Sequence, residues 1–243
     1  MTRFALDDTG TGPAVLLLHG FPATRALWKG VVPRLAEAGL RVLAPDLLGY
    51  GDSPSAPDVG MENQARWLLE LLDARGIGQA VVIAHDVGTA AAQILAVRAP
   101  GRIRSLVLMD GVYETEWAMA AVESIREWDP AQAARLQPVL ARRLRSIRDL
   151  LTVYAGEEGG RRLIHAARCL DPRQTEGITA LLRASSIPVR LIWGADDAFL
   201  PVETVARPLA NALGAPLKLL RGGHFLPLDN PADVACELLD ALA

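Results

Sequence analysis

In this 243-residue chain the apolar run Ala80-Val81-Val82-Ile83-Ala84 meets His85-Asp86-Val87-Gly88 and then the small-residue stretch Thr89-Ala90-Ala91-Ala92. Small residues at Ala84, Gly88 and Ala90 permit a sharp turn from strand to helix that holds the Asp86 side chain up in an exposed, constrained position. A carboxylate there is already ionised at neutral pH and can attack an sp³ carbon bearing a leaving group. The plainer reading of Asp86 alone is a cap for the following helix. Two later segments weigh against it. Gly194-Ala195-Asp196-Asp197-Ala198-Phe199-Leu200-Pro201 follows the apolar run at 189–193, and Gly222-Gly223-His224-Phe225 follows the one at 217–220. An acid and a histidine then stand at the ends of two further strands, the edge where open α/β sheets build their sites. Asp110, in Leu108-Met109-Asp110-Gly111, is the alternative to Asp197 as the acid that orients His224.

The elements that must position these groups alternate in type. Short apolar runs at 14–18, 40–44, 80–84, 105–109, 189–193 and 217–220 read as strands, and helix-period segments lie near 25–38, 61–76, 88–98, 202–213 and 231–242. Near-continuous apolar runs suit parallel strands covered on both faces, so the fold class is α/β, with room for one short strand before Ala14. From Tyr113 to Ser186 the alternation gives way to helix throughout. The chain therefore divides into core residues 1–111, a helical cap at 112–186 and core residues 187–243. The stretch 113–186 carries 11 Arg against 10 Asp+Glu, a mixed surface rather than a basic stripe.

Composition narrows the function. A formal net charge of -3 gives no pull towards nucleic acid or an anionic membrane. No apolar run has the length of a signal peptide or a membrane span, so a cytoplasmic protein is expected. Cys169 and Cys236 have no metal-ligand spacing and read as buried free thiols. No metal and no organic cofactor is implied.

The order Asp86, Asp197, His224, together with His19-Gly20-Phe21-Pro22 and Pro45-Asp46-Leu47-Leu48-Gly49-Tyr50-Gly51-Asp52-Ser53, resembles the α/β-hydrolase family over essentially the whole chain. An Asp nucleophile with H-G-F-P is similar to its branch of epoxide hydrolases and haloalkane or haloacetate dehalogenases. The resemblance implies a mostly parallel sheet of about seven strands, with the helical cap inserted after the sixth family strand. It also implies an alkyl ester on Asp86, which water activated by His224 hydrolyses while the backbone N–H groups of Phe21 and Val87 receive the oxyanion. Attack on an ester carbonyl would instead give a reactive anhydride.

Epoxide-opening relatives commonly use cap tyrosines as donors, and Tyr113 and Tyr154 occupy the cap here. Haloalkane dehalogenases resemble a pattern with Trp after the nucleophile and Asn after H-G, where this chain has Val87 and Phe21. Haloacetate dehalogenases resemble H-D-R-G, from which Val87 also departs. Trp117 and Trp128 are then the cap's candidate halide donors, while Trp28, Trp67 and Trp193 read as core. His19, His85, Asp46 and Ser53 read as loop-organising groups, and His165 as a surface residue of the cap. The expected partner is a small hydrophobic substrate, an epoxide ahead of a halide. A ligand-binding homologue without turnover and a lyase-like enzyme are the other classes.

Overall fold

The computed structural model describes residues 4–242. Seven strands form one sheet: β1 (Leu6–Thr9), β2 (Ala14–Leu18), β3 (Arg41–Pro45), β4 (Ala80–Asp86), β5 (Ile103–Gly111), β6 (Val189–Gly194) and β7 (Leu217–Leu220). Their order is β1-β3-β2-β4-β5-β6-β7, and the β1–β3 pair alone is antiparallel. Every residue of β4 is buried, as the apolar run requires of a central strand with helices on both faces. The expected α/β architecture is therefore observed, with the short strand before Ala14 present at the sheet edge.

The helices of the two layers are α1 (Val32–Glu37), α2 (Met61–Ala74), α3 (Gly88–Arg98), α8 (Arg207–Leu213), α9 (Leu226–Asp229) and α10 (Pro231–Leu242). Between β5 and β6 lie α4 (Met119–Arg126), α5 (Leu136–Arg143), α6 (Gly156–Cys169) and α7 (Ile178–Ala184). In α2, Ala65, Leu68, Leu71 and Leu72 share the buried face at helical spacing. The segment expected as cap divides by packing. Helices α4 and α5 pack on α6, whereas α7 packs on α3 and α8 in the layer over the sheet.

Two expected helices are broken, and proline explains both. The span 25–38 splits into a tight turn at Arg25–Trp28 and α1, which restarts with Pro33 in its first turn. The span 202–213 begins as a wide turn at Val202–Ala206, because Pro208 has no N–H to return to Glu203 or Thr204. Both thiols are free, but Cys169 is half-buried and Cys236 exposed, which corrects the expectation that both are buried. Cys236 falls on the outer face of α10, opposite the buried Val234, Ala235 and Leu238. Among the described residues no helix is long and apolar enough to cross a membrane.

Candidate active site

Four parallel strands deliver their chemistry to one edge. Asp86 ends β4 with φ of 54°, and Asp110 lies near the end of β5 with φ of 42°, a left-handed backbone uncommon in residues with a side chain. Such strain is retained where the surroundings over-determine it. Here Thr89 Oγ1 donates to the Asp86 carbonyl at 2.6 Å and accepts from Val112 N–H at 2.9 Å, tying the turn to the exit of β5. Two glycines permit the close approach. A Cβ on Gly20 would overlap the Asp86 carboxylate, and one on Gly88 would overlap the His19 carbonyl.

The Asp86 carboxylate is held at both oxygens. Phe21 N–H donates to Oδ1 at 2.7 Å. Oδ2 lies 3.3 Å from His224 Nε2. The other ring nitrogen, Nδ1, donates to Asp197 Oδ2 at 2.9 Å. Asp197 Oδ1 accepts from the N–H groups of Phe199 and Leu200 at 2.8 and 3.0 Å. That loop is pinned in turn by Trp193 Nε1, which donates to the Leu200 carbonyl. His85 Nε2 donates to the His224 carbonyl at 2.6 Å, bracing the loop that carries the base.

Burial alone would pull the His224 imidazolium down, but hydrogen bonds and charge from Asp197 and Asp86 outweigh it and raise its pKa to about 10. Burial pushes the Asp86 carboxyl up, and His224 overrides this to hold it below its ordinary value. The resting site is thus an ion pair, carboxylate against imidazolium. Because the raised pKa of His224 favours its charged form in the fold, its stabilisation is complete below about pH 6.5 and is lost as pH rises towards 10. The melting-temperature advantage of the wild type over His224→Gln should therefore shrink across that window, as thermal scans at stepped pH would record.

Asp110 stands behind the pair. Its Oδ1 accepts from Gly194 N–H at 2.7 Å, while its buried Oδ2 has no donor within reach. Burial, with the adjoining Asp197 carboxylate, pushes its pKa well above the usual range. Asp197, not Asp110, meets the imidazole. Replacing Asp197 with Asn should lower kcat about a thousandfold by releasing the imidazole orientation. Asp110→Asn keeps the Gly194 acceptor and should change kcat by less than about tenfold. Reversed magnitudes in steady-state kinetics would transfer the role to Asp110.

Over this edge lies a cavity of about 250 Å³, lined by Phe21, Val87, Trp117, Ile125, Leu140 and Phe225 among others. A profile described as the alpha/beta hydrolase fold matches residues 13–146, more than half of the chain. The chain belongs to the α/β-hydrolase fold family. This α/β-hydrolase is 41% identical over 111 residues to bifunctional epoxide hydrolase 2 of Mus musculus, covering 44% of this chain and 20% of that protein. It is also 41% identical over 111 residues to a haloalkane dehalogenase of Mesorhizobium japonicum, covering 45% and 35% respectively. The matches thus span a fifth and about a third of those relatives. Along nearly the full chain it is similar to a thermophilic esterase from Thermogutta terrifontis, with 27% identity, a TM-score of 0.80, and 98% of this chain and 92% of that one covered.

In this α/β-hydrolase the structure brings Asp86, Asp197, His224, Phe21 and Val87 together, whereas the four candidate cap donors are turned elsewhere. Tyr154 is fully buried, and its hydroxyl accepts from Gly51 N–H and donates to the Ala23 carbonyl, outside the cavity lining. Tyr113 and Trp128 do not line it either, and Trp128 Nε1 donates to the Gln132 carbonyl. Trp117 presents its ring, but its N–H points away to the Glu114 carbonyl and Thr175 Oγ1. Besides Asp86 and His224, the polar side chains of the lining are Ser124 and Arg143, neither of which the sequence singled out. Trp28, Trp67 and Trp193 are core. His19 ties Leu47 to Gly20, Asp46 holds Arg25 and Asp52, Ser53 binds the Asp46 carbonyl, and His165 is half-buried against Ala56.

Proposed function

We propose that the protein is an epoxide hydrolase that works through an alkyl ester on Asp86. The observation that carries this is the buried carboxylate–imidazolium pair, Asp86 Oδ2 at 3.3 Å from His224 Nε2, in a cavity that no cap tyrosine or indole N–H enters. Asp86 Oδ2 attacks an epoxide carbon while Oδ1 stays on the Phe21 N–H, and the ring C–O bond opens to an alkoxide. That alkoxide needs one proton. The imidazolium of His224, raised to about 10, holds one beside the new ester, and rotation about the former epoxide's C–C bond, freed by ring opening, turns the alkoxide towards it.

Alkylation also removes the negative charge of Asp86, one of the two that kept His224 protonated, so the imidazole is released to act as a base. A water it activates then attacks Cγ of the ester, with the oxyanion on the N–H groups of Phe21 and Val87. The acyl C–O bond breaks, a diol leaves, and the carboxylate is restored. A halide leaving group would take no proton from His224, and the indole that lines the cavity has its N–H committed to Glu114 and Thr175. The identity shared with a haloalkane dehalogenase keeps that chemistry as the second reading.

A mixed panel of aryl epoxides, haloalkanes and haloacetates separates the two. Diol from epoxides without halide release from the rest is the expected outcome. Halide release in preference to diol would replace the epoxide reading with the dehalogenase. If no panel member is turned over and none adds its mass to Asp86, the alkyl-ester mechanism falls.

A further inference from the structure

The rim of the cavity over Asp86 carries a positive charge that the chemistry above does not use. Arg143, in the last turn of α5, belongs to its lining, and among the described residues it has neither an ion-pair partner nor a hydrogen-bond acceptor. Other arginines that reach inward are committed. Arg126 donates to the carbonyls of Ala167 and Leu170, Arg162 to those of Gly51 and Ser53, and Arg25 to Asp46. The charge of the cap is balanced in total but segregated in place, because five arginines and no acid fall between Ala131 and Arg148.

Asp86 and His224 are both 7% exposed and form the cavity's floor, Phe199 lies against the His224 ring with centroids 5.2 Å apart, and Arg143 is an exposed residue of the rim. Asp86 on the floor and Asp197 behind the ring flank one imidazolium, an excess negative charge that repels an anion unless a cation offsets it. The walls between, Trp117, Leu140 and Phe225 among them, are apolar.

On the epoxide-opening reading of Asp86, we propose that the substrate is amphiphilic: a small aryl or alkyl epoxide bearing a carboxylate at the end remote from the reacting carbon, which the guanidinium of Arg143 anchors. A planar guanidinium offers a carboxylate two parallel N–H donors, so the anchor fixes orientation as well as affinity. With the anion at the mouth, the apolar body lies along the walls and the epoxide carbon is presented to Asp86 Oδ2 on the floor. The neighbouring Arg142 and Arg145, both exposed, add a positive field beside Arg143, whereas Arg148 pairs with Asp149; that field draws anions in and fades with salt.

The test uses a matched pair of probes with no leaving group, 4-phenylbutyrate and 4-phenylbutyramide, titrated calorimetrically into wild type and Arg143→Gln. The carboxylate should bind wild type about fivefold more tightly than the amide, the size of a partly exposed charge pair. Arg143→Gln should bring the two probes level, and added salt should weaken the carboxylate alone. Equal binding of the two probes by wild type, no binding of either, or an equal loss of both in Arg143→Gln would overturn the anchor. Neither probe can alkylate Asp86, so this outcome is independent of the reaction. Mass gain on Asp86 from neutral epoxides without a carboxylate preference would retain the mechanism and discard the anchor, and the converse would do the reverse.

Discussion

His224→Gln, incubated with an epoxide that the wild type hydrolyses, is expected to gain the mass of that epoxide on Asp86 and to stop at that ester, before a first turnover is complete. Alkylation needs Asp86 Oδ2 and the hydrogen bond that Phe21 N–H donates to Oδ1, at 2.7 Å, and neither depends on the imidazole ring. The alkoxide must then draw its proton from water entering at the cavity mouth, so the first step slows without failing. Hydrolysis of the ester has no such substitute. A carboxylate ester is a poor target for unactivated water, and a glutamine amide cannot accept the proton. Steady-state turnover should therefore fall about a thousandfold or more while the modified enzyme accumulates. Intact-protein mass spectrometry followed by peptide mapping reads both. A variant that stays unmodified and keeps turning over would show that His224 does not divide the reaction into two steps.

The sheet was legible because its strands are buried on both faces. Val81-Val82-Ile83 and Leu106-Val107-Leu108 admit little but a covered parallel strand, and β4 outruns its apolar run where His85 and Asp86 extend it. What local pattern could not supply was the effect of a missing N–H. Pro33 and Pro208 sit inside segments whose apolar spacing reads as continuous helix, and each resets the hydrogen-bond ladder.

The candidate site divides along the same line. The Asp86, Asp197 and His224 side chains are delivered by strand ends whose order follows from chain topology, so their convergence could be anticipated from spacing. The cap is different, because what its side chains face is decided by how its helices pack on loops far away in sequence. Tyr154 lies 103 residues from the Gly51 N–H that its hydroxyl accepts from, and Trp117 lies 58 residues from the Thr175 that takes its indole proton. Nothing in the local composition around either residue encodes that distant partner. Arg143 was missed for a related reason. A tally of 11 Arg against 10 acids describes a mixed surface, and conceals that the run from Ala131 to Arg148 holds five of those arginines and no acid. A running charge count along the cap would have found it.

Asp86→Asn is expected to lose activity by about ten-thousandfold or more while the fold stays intact, a larger effect than any other single change in the site. The asparagine carbonyl oxygen can keep the Phe21 N–H bond, and the side chain fills the same space, so the elbow retains its anchors. What disappears is the nucleophile, since an amide nitrogen lone pair is delocalised and does not attack carbon. The charge change also acts on the base. Without the Asp86 carboxylate, His224 loses one of the two charges that hold it near 10, so its pKa should fall, which histidine NMR titration would report. Labelled water then distinguishes the covalent route from direct attack. In the wild type, hydrolysis at Cγ sends the original Oδ2 out in the product and leaves the oxygen of water in Asp86. A single turnover in ¹⁸O water should consequently label the protein at Asp86 and leave the first product unlabelled. Label in the first product with none in Asp86 would mean that water attacks the substrate directly, and that the carboxylate serves only as a base or a counter-charge. Asp86→Asn should show neither label nor product, because both follow from the same bond between Oδ2 and carbon.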